Sequence, residues 1–184
     1  MIYRIYLKRI SDILIAVLLL VFLVPVWLTV MLILTIINRG SPFFKQARPG
    51  KHGKMFYIVK FKSMNSRRDV KGELLPDNMR LTPVGRFIRN TSIDELPQLL
   101  NVLKGDMSLV GPRPCLLSQK RLVKERKIRK VFKVKPGITG LAQISGINMR
   151  TPTLLSKTDL KMIKKMSLSN YFYYIFRTIL QIIN

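Results

Sequence analysis

From Ile13 to Ile37 the chain carries no charged residue. A bilayer's hydrocarbon core takes roughly 20 residues of helix, so the run is long enough to enter one. It is too long for the apolar region of a cleavable signal, and no small-residue cleavage site follows it. Pro25 stands near its middle, where a proline removes a backbone donor and crowds the preceding turn; one straight helix is excluded. Both flanks are basic, with Arg4, Lys8 and Arg9 before the run and Arg39, Lys45, Arg48, Lys51 and Lys54 after it. Lys and Arg collect on the cytoplasmic side of a membrane. Putting both flanks there makes the segment dip in and return, a re-entrant helix broken at Pro25. A kinked spanning helix is the other option. The chain is thus expected to divide into a membrane element over 1–38 and a cytosolic domain over 39–184.

The chain has 184 residues, with 33 Lys plus Arg against 9 Asp plus Glu and a net charge of +24. That length suits one domain beside a membrane element. So basic a chain seeks polyanions: nucleic acid, anionic lipid or phosphorylated substrates. Its single cysteine, Cys115, excludes an internal disulfide and fits a reducing compartment. The single histidine, His52, lies between Lys51 and Gly53, away from any acid in sequence, and reads as a loop residue.

Against this scarcity of acids, the adjacent pair Asp94 and Glu95 stands out. Leu96, Leu99, Leu100 and Leu103 follow at the spacing of one helix face, and Gly105 is a natural stop. Pro97 belongs in a first helical turn, which makes Asp94 the expected N-cap and places Glu95 beside it at the positive end of the helix dipole. The dipole and a nearby Arg89 would favour the ionised acid. Such an acid is a cap and nothing more, or a nucleophile or metal ligand. Downstream, Gly111-Pro112-Arg113-Pro114 holds Arg113 between two prolines. Each proline fixes its own φ and extends its predecessor, so the guanidinium is presented stiffly, as bidentate phosphate binding requires.

Met55 to Met64 reads as one strand, with Lys60 and Lys62 on the same face. Asn65 to Arg80 is polar and loop-like, with Asp69, Glu73 and Asp77 as surface acids. Gln119 to Lys135 is dense in Lys and Arg, with Glu125 its one acid. It is a solvated basic helix or a surface resting on anionic head groups. Gly137, Gly140 and Gly146 surround a short strand-like run with neither Walker nor Rossmann spacing. Leu154 to Asn184 is helix-like and amphipathic, with Tyr171, Tyr173 and Tyr174 suited equally to a bilayer interface or to the core.

DELPQLLNVLKGDMSLVGPRP, together with SDILIAVLLL, SPFFKQARPGKHGKMFYIVKFKSM and KVKPGITGLAQISG, resembles the bacterial sugar transferase family, the monotopic phosphoglycosyl transferases. The resemblance covers nearly the whole chain and implies an α/β fold: a small mixed cytosolic domain with interfacial amphipathic helices and a re-entrant membrane helix. It implies transfer of a sugar 1-phosphate from a UDP-sugar to polyprenyl phosphate, with UMP released, at the start of a bacterial surface glycan or glycoprotein pathway. Asp94 would be the nucleophile of a covalent phosphosugar–aspartyl intermediate. Asp94 and Glu95 would contact Mg²⁺, and Arg89, Arg113, Lys60 and Pro112 would line the substrate site. The expected location is the cytoplasmic face of the bacterial inner membrane, with anionic lipid as a partner and no nucleic acid. The family commonly has Ser before the proline, Trp after KPGITG and a later Arg, where this chain has Val24, Leu141 and Ile147. Two other readings stay open: a membrane-anchored basic module binding nucleic acid or anionic lipid, and a scaffold without activity.

Overall fold

The apolar run folds as two helices. In the computed structural model, which describes residues 2–183, α1 (Ile2–Phe22) and α2 (Val24–Asn38) meet at Leu23 with a 65° bend. Among the described residues no single helix is long and apolar enough to cross a membrane, although the bent pair together has the length and composition to do so. Pro25 sits in the first turn of α2, where a missing N–H leaves nothing unpaired. The break therefore falls two residues before the proline. Val24 offers no hydroxyl, and the Pro25 carbonyl accepts one from Thr29 instead, at 2.9 Å. The Arg4 side chain and Asn184 lie outside the described residues.

The chain continues through β1 (Phe43–Pro49) and β2 (Met55–Phe61), an antiparallel hairpin in register from Phe43 with Phe61 to Pro49 with Met55. The β2 strand ends at Phe61, so Lys62 falls beyond it and does not share a strand face with Lys60. After the polar loop come α3 (Asp77–Arg80), α4 (Pro83–Asn90), a 3₁₀ turn over Ile93–Glu95, and α5 (Gln98–Lys104). Then β3 (Ser108–Val110) leads through α6 (Lys120–Ile128) to β4 (Gly137–Thr139), its parallel partner. Three helices complete the fold: α7 (Leu141–Ile144), α8 (Pro152–Lys164) and α9 (Leu168–Ile183). The expected single C-terminal helix is thus two, parted at 165–167. The architecture is mixed α/β, with helices around two small sheets.

The central core joins Phe56 and Ile58 of β2, Leu99 and Val102 of α5, Leu109 and Val110 of β3, and Tyr171 and Tyr174 of α9. Ala16 of α1 is fully buried in the same core. Tyr171 and Tyr174 are therefore core residues, whereas Tyr173, Phe172 and Phe176 point outward. Leu34 of α2 packs with Phe61 and Ile88, and Trp27 meets the Phe61 ring edge-on, with centroids 5.2 Å apart. The boundary drawn after residue 38 falls at the turn between α2 and β1, and the packing continues across it.

Hydrogen bonds tie α1 down further. Arg9 donates to the carbonyls of Val102 and Leu103 at 2.7 and 3.0 Å, at the C-terminal end of α5. Asp12 is buried and accepts from the Leu109 N–H at 2.9 Å, the Ser108 hydroxyl at 3.0 Å and the Tyr171 hydroxyl at 2.9 Å. One carboxylate so joins α1 to β3 and α9. Lys8, one turn earlier, pairs with it at 3.6 Å.

Candidate active site

The site begins with how α5 is fixed to β2. Asn101 of α5 accepts from the Val59 N–H at 3.0 Å and donates to the Tyr57 carbonyl at 2.8 Å, acting as a short extra strand along that edge. This sets Lys60, on β2, against the acids that precede α5. The Lys60 ammonium lies 2.6 Å from Glu95 Oε1 and 3.9 Å from Asp94 Oδ2.

The helix start differs from the sequence expectation. Asp94 caps nothing: Ser92, in a left-handed conformation (φ 56°), turns the chain into the 3₁₀ segment, and α5 begins only at Gln98, after Pro97. The acids lie inside the 3₁₀ turn itself, with Leu96 and Pro97 between them and the first residue of α5. Leu100 is exposed, and the inward face of this segment is Leu96, Leu99, Val102 and Leu103. Gly105 ends α5 in the left-handed conformation (φ 93°), as expected.

Arg113 reaches Glu95 from the opposite side, its Nη2 donating to Oε1 at 2.5 Å. Glu95 is therefore held between two cations. Burial alone would push its carboxyl up, but Arg113 and Lys60 outweigh that and hold it below the usual carboxylate range. Asp94 goes the other way. Burial pushes it above the usual range; Lys60 opposes this, Glu95 adds to it, and Arg89 and Arg113 oppose from further off. The expectation that dipole and Arg89 would lower Asp94 is corrected: desolvation dominates, and Arg89 turns its Nε to the Ser63 hydroxyl at 2.8 Å. Among the described residues no side-chain hydrogen bond ends on the Asp94 carboxylate. Two adjacent acids with their pKa values driven apart suit two roles, an anchored anion and a more basic, reactive one.

Pro112 contributes backbone, its carbonyl accepting from the Gly137 N–H at 3.0 Å. Here the two segments cross so closely that a Cβ on Gly137 would lie 2.0 Å from the Gly111 nitrogen. Sequence reading placed Arg48 only in the basic flank of the membrane element. The structure brings it into the site, where it donates to the Pro114 carbonyl at 3.3 Å. Its signal was its own motif, since ARPG begins a turn that returns directly into the Lys60 strand. Arg48, Lys60, Glu95, Gln98 and Arg113 line a cleft of about 180 Å³. A second, apolar cleft of about 360 Å³ runs between α2 and α4, walled by Pro25, Val30, Ile33, Phe87 and Ile93. Ile93, in its wall, is the chain neighbour of Asp94.

Among the described residues no group of three or more His, Cys, Asp and Glu side chains could hold a metal. The acid pair nonetheless fits Mg²⁺, which binds by one or two carboxylates and completes its shell with water and substrate phosphates. Asp94 is the freer of the two, because both cations sit on Oε1 of Glu95. Of the departures from the family pattern, Ile147 packs against a core of Cys115, Leu122, Ala142 and Leu155, and Leu141 against the central core. Cys115 is a buried, free thiol.

The chain belongs to the bacterial sugar transferase family, whose model matches residues 3–184. It is 64% identical over 110 residues to the uncharacterised sugar transferase EpsL of Bacillus subtilis, covering 59% of this chain and 54% of that protein. It is 40% identical over 151 residues to a UDP-glucose:undecaprenyl-phosphate glucose-1-phosphate transferase of Caulobacter vibrioides, covering 80% and 57%. An undecaprenyl-phosphate galactose phosphotransferase of Salmonella typhimurium is 41% identical over 161 residues, covering 78% and 33%. The matches thus span from a third to somewhat over half the length of these relatives.

Proposed function

We propose that the chain is a UDP-sugar:polyprenyl-phosphate sugar phosphotransferase working through a covalent aspartyl intermediate. The observation that carries it is Asp94: buried, its carboxylate without a side-chain hydrogen bond among the described residues, and 3.9 Å from Lys60, while its neighbour Glu95 is locked between Lys60 and Arg113. An Asp94 oxygen attacks the sugar-bearing β-phosphorus of the donor. The bond from that phosphorus to the bridging oxygen breaks, and UMP leaves. A polyprenyl phosphate oxygen then attacks the same phosphorus, the acyl phosphate bond breaks, and the Asp94 carboxylate is regenerated with polyprenyl diphosphate sugar as product. Splitting one displacement in two is what a carboxylate nucleophile achieves.

Glu95 acts by position, keeping Lys60 and Arg113 aimed at the place where phosphate charge builds up. Arg89 lies beside the pair as a further cation, and Arg48 faces the same cleft. Mg²⁺, held by Asp94 and Glu95, would neutralise and orient the diphosphate. The apolar cleft beside Ile93 gives the acceptor's hydrocarbon chain a route to Asp94. The bent α1–α2 pair enters the cytoplasmic leaflet of the bacterial inner membrane as a re-entrant helix. The basic outer face of α6, with Ile128 and Leu117 exposed beside it, rests on anionic head groups. The product would be the first lipid-linked intermediate of a surface glycan.

The test is UMP release by the detergent-purified protein given Mg²⁺, polyprenyl phosphate and a panel led by UDP-glucose and UDP-galactose, the sugars named for its relatives. Lipid-dependent UMP is expected, and chelation of Mg²⁺ should abolish it with recovery on re-addition. Folded protein releasing no UMP from any donor sinks the proposal.

The two carboxyls also fix a pH signature. Glu95 raises Asp94, so Glu95→Gln should move the acid limb of the kcat/KM profile to lower pH at fixed Mg²⁺, alongside a lower plateau. An unmoved or upward-shifted limb contradicts the role given to Asp94.

A further inference from the structure

Arg126 and Asp159 are respectively 2% and 1% exposed, an ion pair almost sealed from water. A buried pair is weak support for stability in itself, because desolvation offsets most of the attraction. The geometry shows what else this one does. One edge of the guanidinium faces Asp159, with Nε and Nη2 at 3.0 and 2.8 Å from Oδ2. The remaining nitrogen, Nη1, donates to the backbone carbonyl of Arg113 at 2.7 Å. Each carbonyl of Pro112-Arg113-Pro114 has its own donor: the Gly137 N–H, Arg126 Nη1 and Arg48 Nη1. The turn is fixed from three directions by β4, α6 and β1.

Resting on the reading that Arg113 holds donor phosphate, we infer that the Arg126–Asp159 pair is a positioning device. It sets the Arg113 backbone so that its side chain meets Glu95 and the cleft before substrate arrives. Prolines on both sides restrict φ at 112 and 114, and Pro114 biases Arg113 toward an extended ψ, but neither proline ties the turn to the rest of the fold. Arg126, itself oriented by Asp159, anchors the turn through the Arg113 carbonyl. Of the basic segment 119–135, then, this one arginine faces inward and serves the site, while Lys120, Arg121, Lys124 and Lys127 stay outside.

The experiment replaces the pair by apolar residues of similar bulk, Arg126→Met with Asp159→Leu, an exchange a fold generally tolerates. The double variant should unfold close to the wild-type temperature, yet lose about 10-fold or more in kcat/KM for UMP release, the order expected of a displaced catalytic group. In an Arg113→Ala background the same exchange should cost nothing further, because the side chain it positions is gone. Independent, multiplying losses overturn the inference, since a merely structural pair would act in both backgrounds. If the double variant does not fold, Arg126→Lys keeps the charge pair but cannot serve Asp159 and the Arg113 carbonyl together. It should show the same loss and the same silence with Arg113→Ala, and full activity overturns the inference. Should wild-type protein release no UMP, the transferase reading fails by itself. The pair is then judged by the variant's structure, where Arg113 still hydrogen-bonded to Glu95 overturns it.

Discussion

Asp94→Asn should remove lipid-dependent UMP release by roughly 10³-fold or more, the scale of losing a covalent nucleophile. The amide has the shape of the carboxylate but no electron pair able to attack phosphorus. With a donor labelled in its sugar, wild-type protein lacking acceptor lipid should retain label through denaturation, and the variant should retain none. Its fold should not suffer. Burial raises the Asp94 pKa, so the folded state binds its proton more tightly than the unfolded chain. The stability this confers is present at acid pH and lost as pH rises through the folded value, and at neutral pH the ionised acid is a burden. Asn removes the burden, so the thermal unfolding midpoint should be equal or higher. An inactive variant that is also unfolded, or a folded one that still releases UMP, would each contradict the assignment.

Asp12→Ala should be the most damaging single change to the fold, at roughly 3–5 kcal/mol, the cost of breaking a buried charged hub by removing one partner. The Leu109 N–H, the Ser108 hydroxyl and the Tyr171 hydroxyl all lose their acceptor together, and Lys8 loses its counter-charge. Asp12→Asn retains an oxygen for those bonds and should recover most of the loss. A denaturation midpoint unchanged in Asp12→Ala would show that α1 docks without the Asp12 hub.

Much of this was legible in the residues. The uncharged run, Pro25 within it, the acid pair and the proline-bracketed Arg113 each carry a local physical signal: the run folds as two helices bent next to Pro25, and Arg113 meets Glu95 of the acid pair. What escaped was long-range. Asp12 stands one residue outside the uncharged run, and nothing local shows that it meets groups nearly a hundred residues and more away. Arg48 and Arg126 were lost among their own kind, because a charge run gives no hint of which member turns inward. Asp94 was misread as a cap because Ser-Ile-Asp-Glu-Leu-Pro fits a helix start; the left-handed Ser92 and the 3₁₀ turn are set by packing against β2, which propensity does not see. The long C-terminal helix broke at 165–167: Leu155 of α8 packs with Cys115, Leu122 and Ala142, while Met162 at its other end joins Tyr171 and Tyr174 of α9 in the central core.

Asp12 also places a demand on biosynthesis. It and Tyr171 are 159 residues apart, and at about 5–20 residues per second translation takes on the order of 8–30 s to cover that distance. For all of that interval the α1 carboxylate lacks its Tyr171 donor, and until Ser108 and Leu109 are made it lacks theirs as well. Docking of α1 is thus complete only once α9 has been made, and a chain cut before α9 should leave Asp12 without one of its donors.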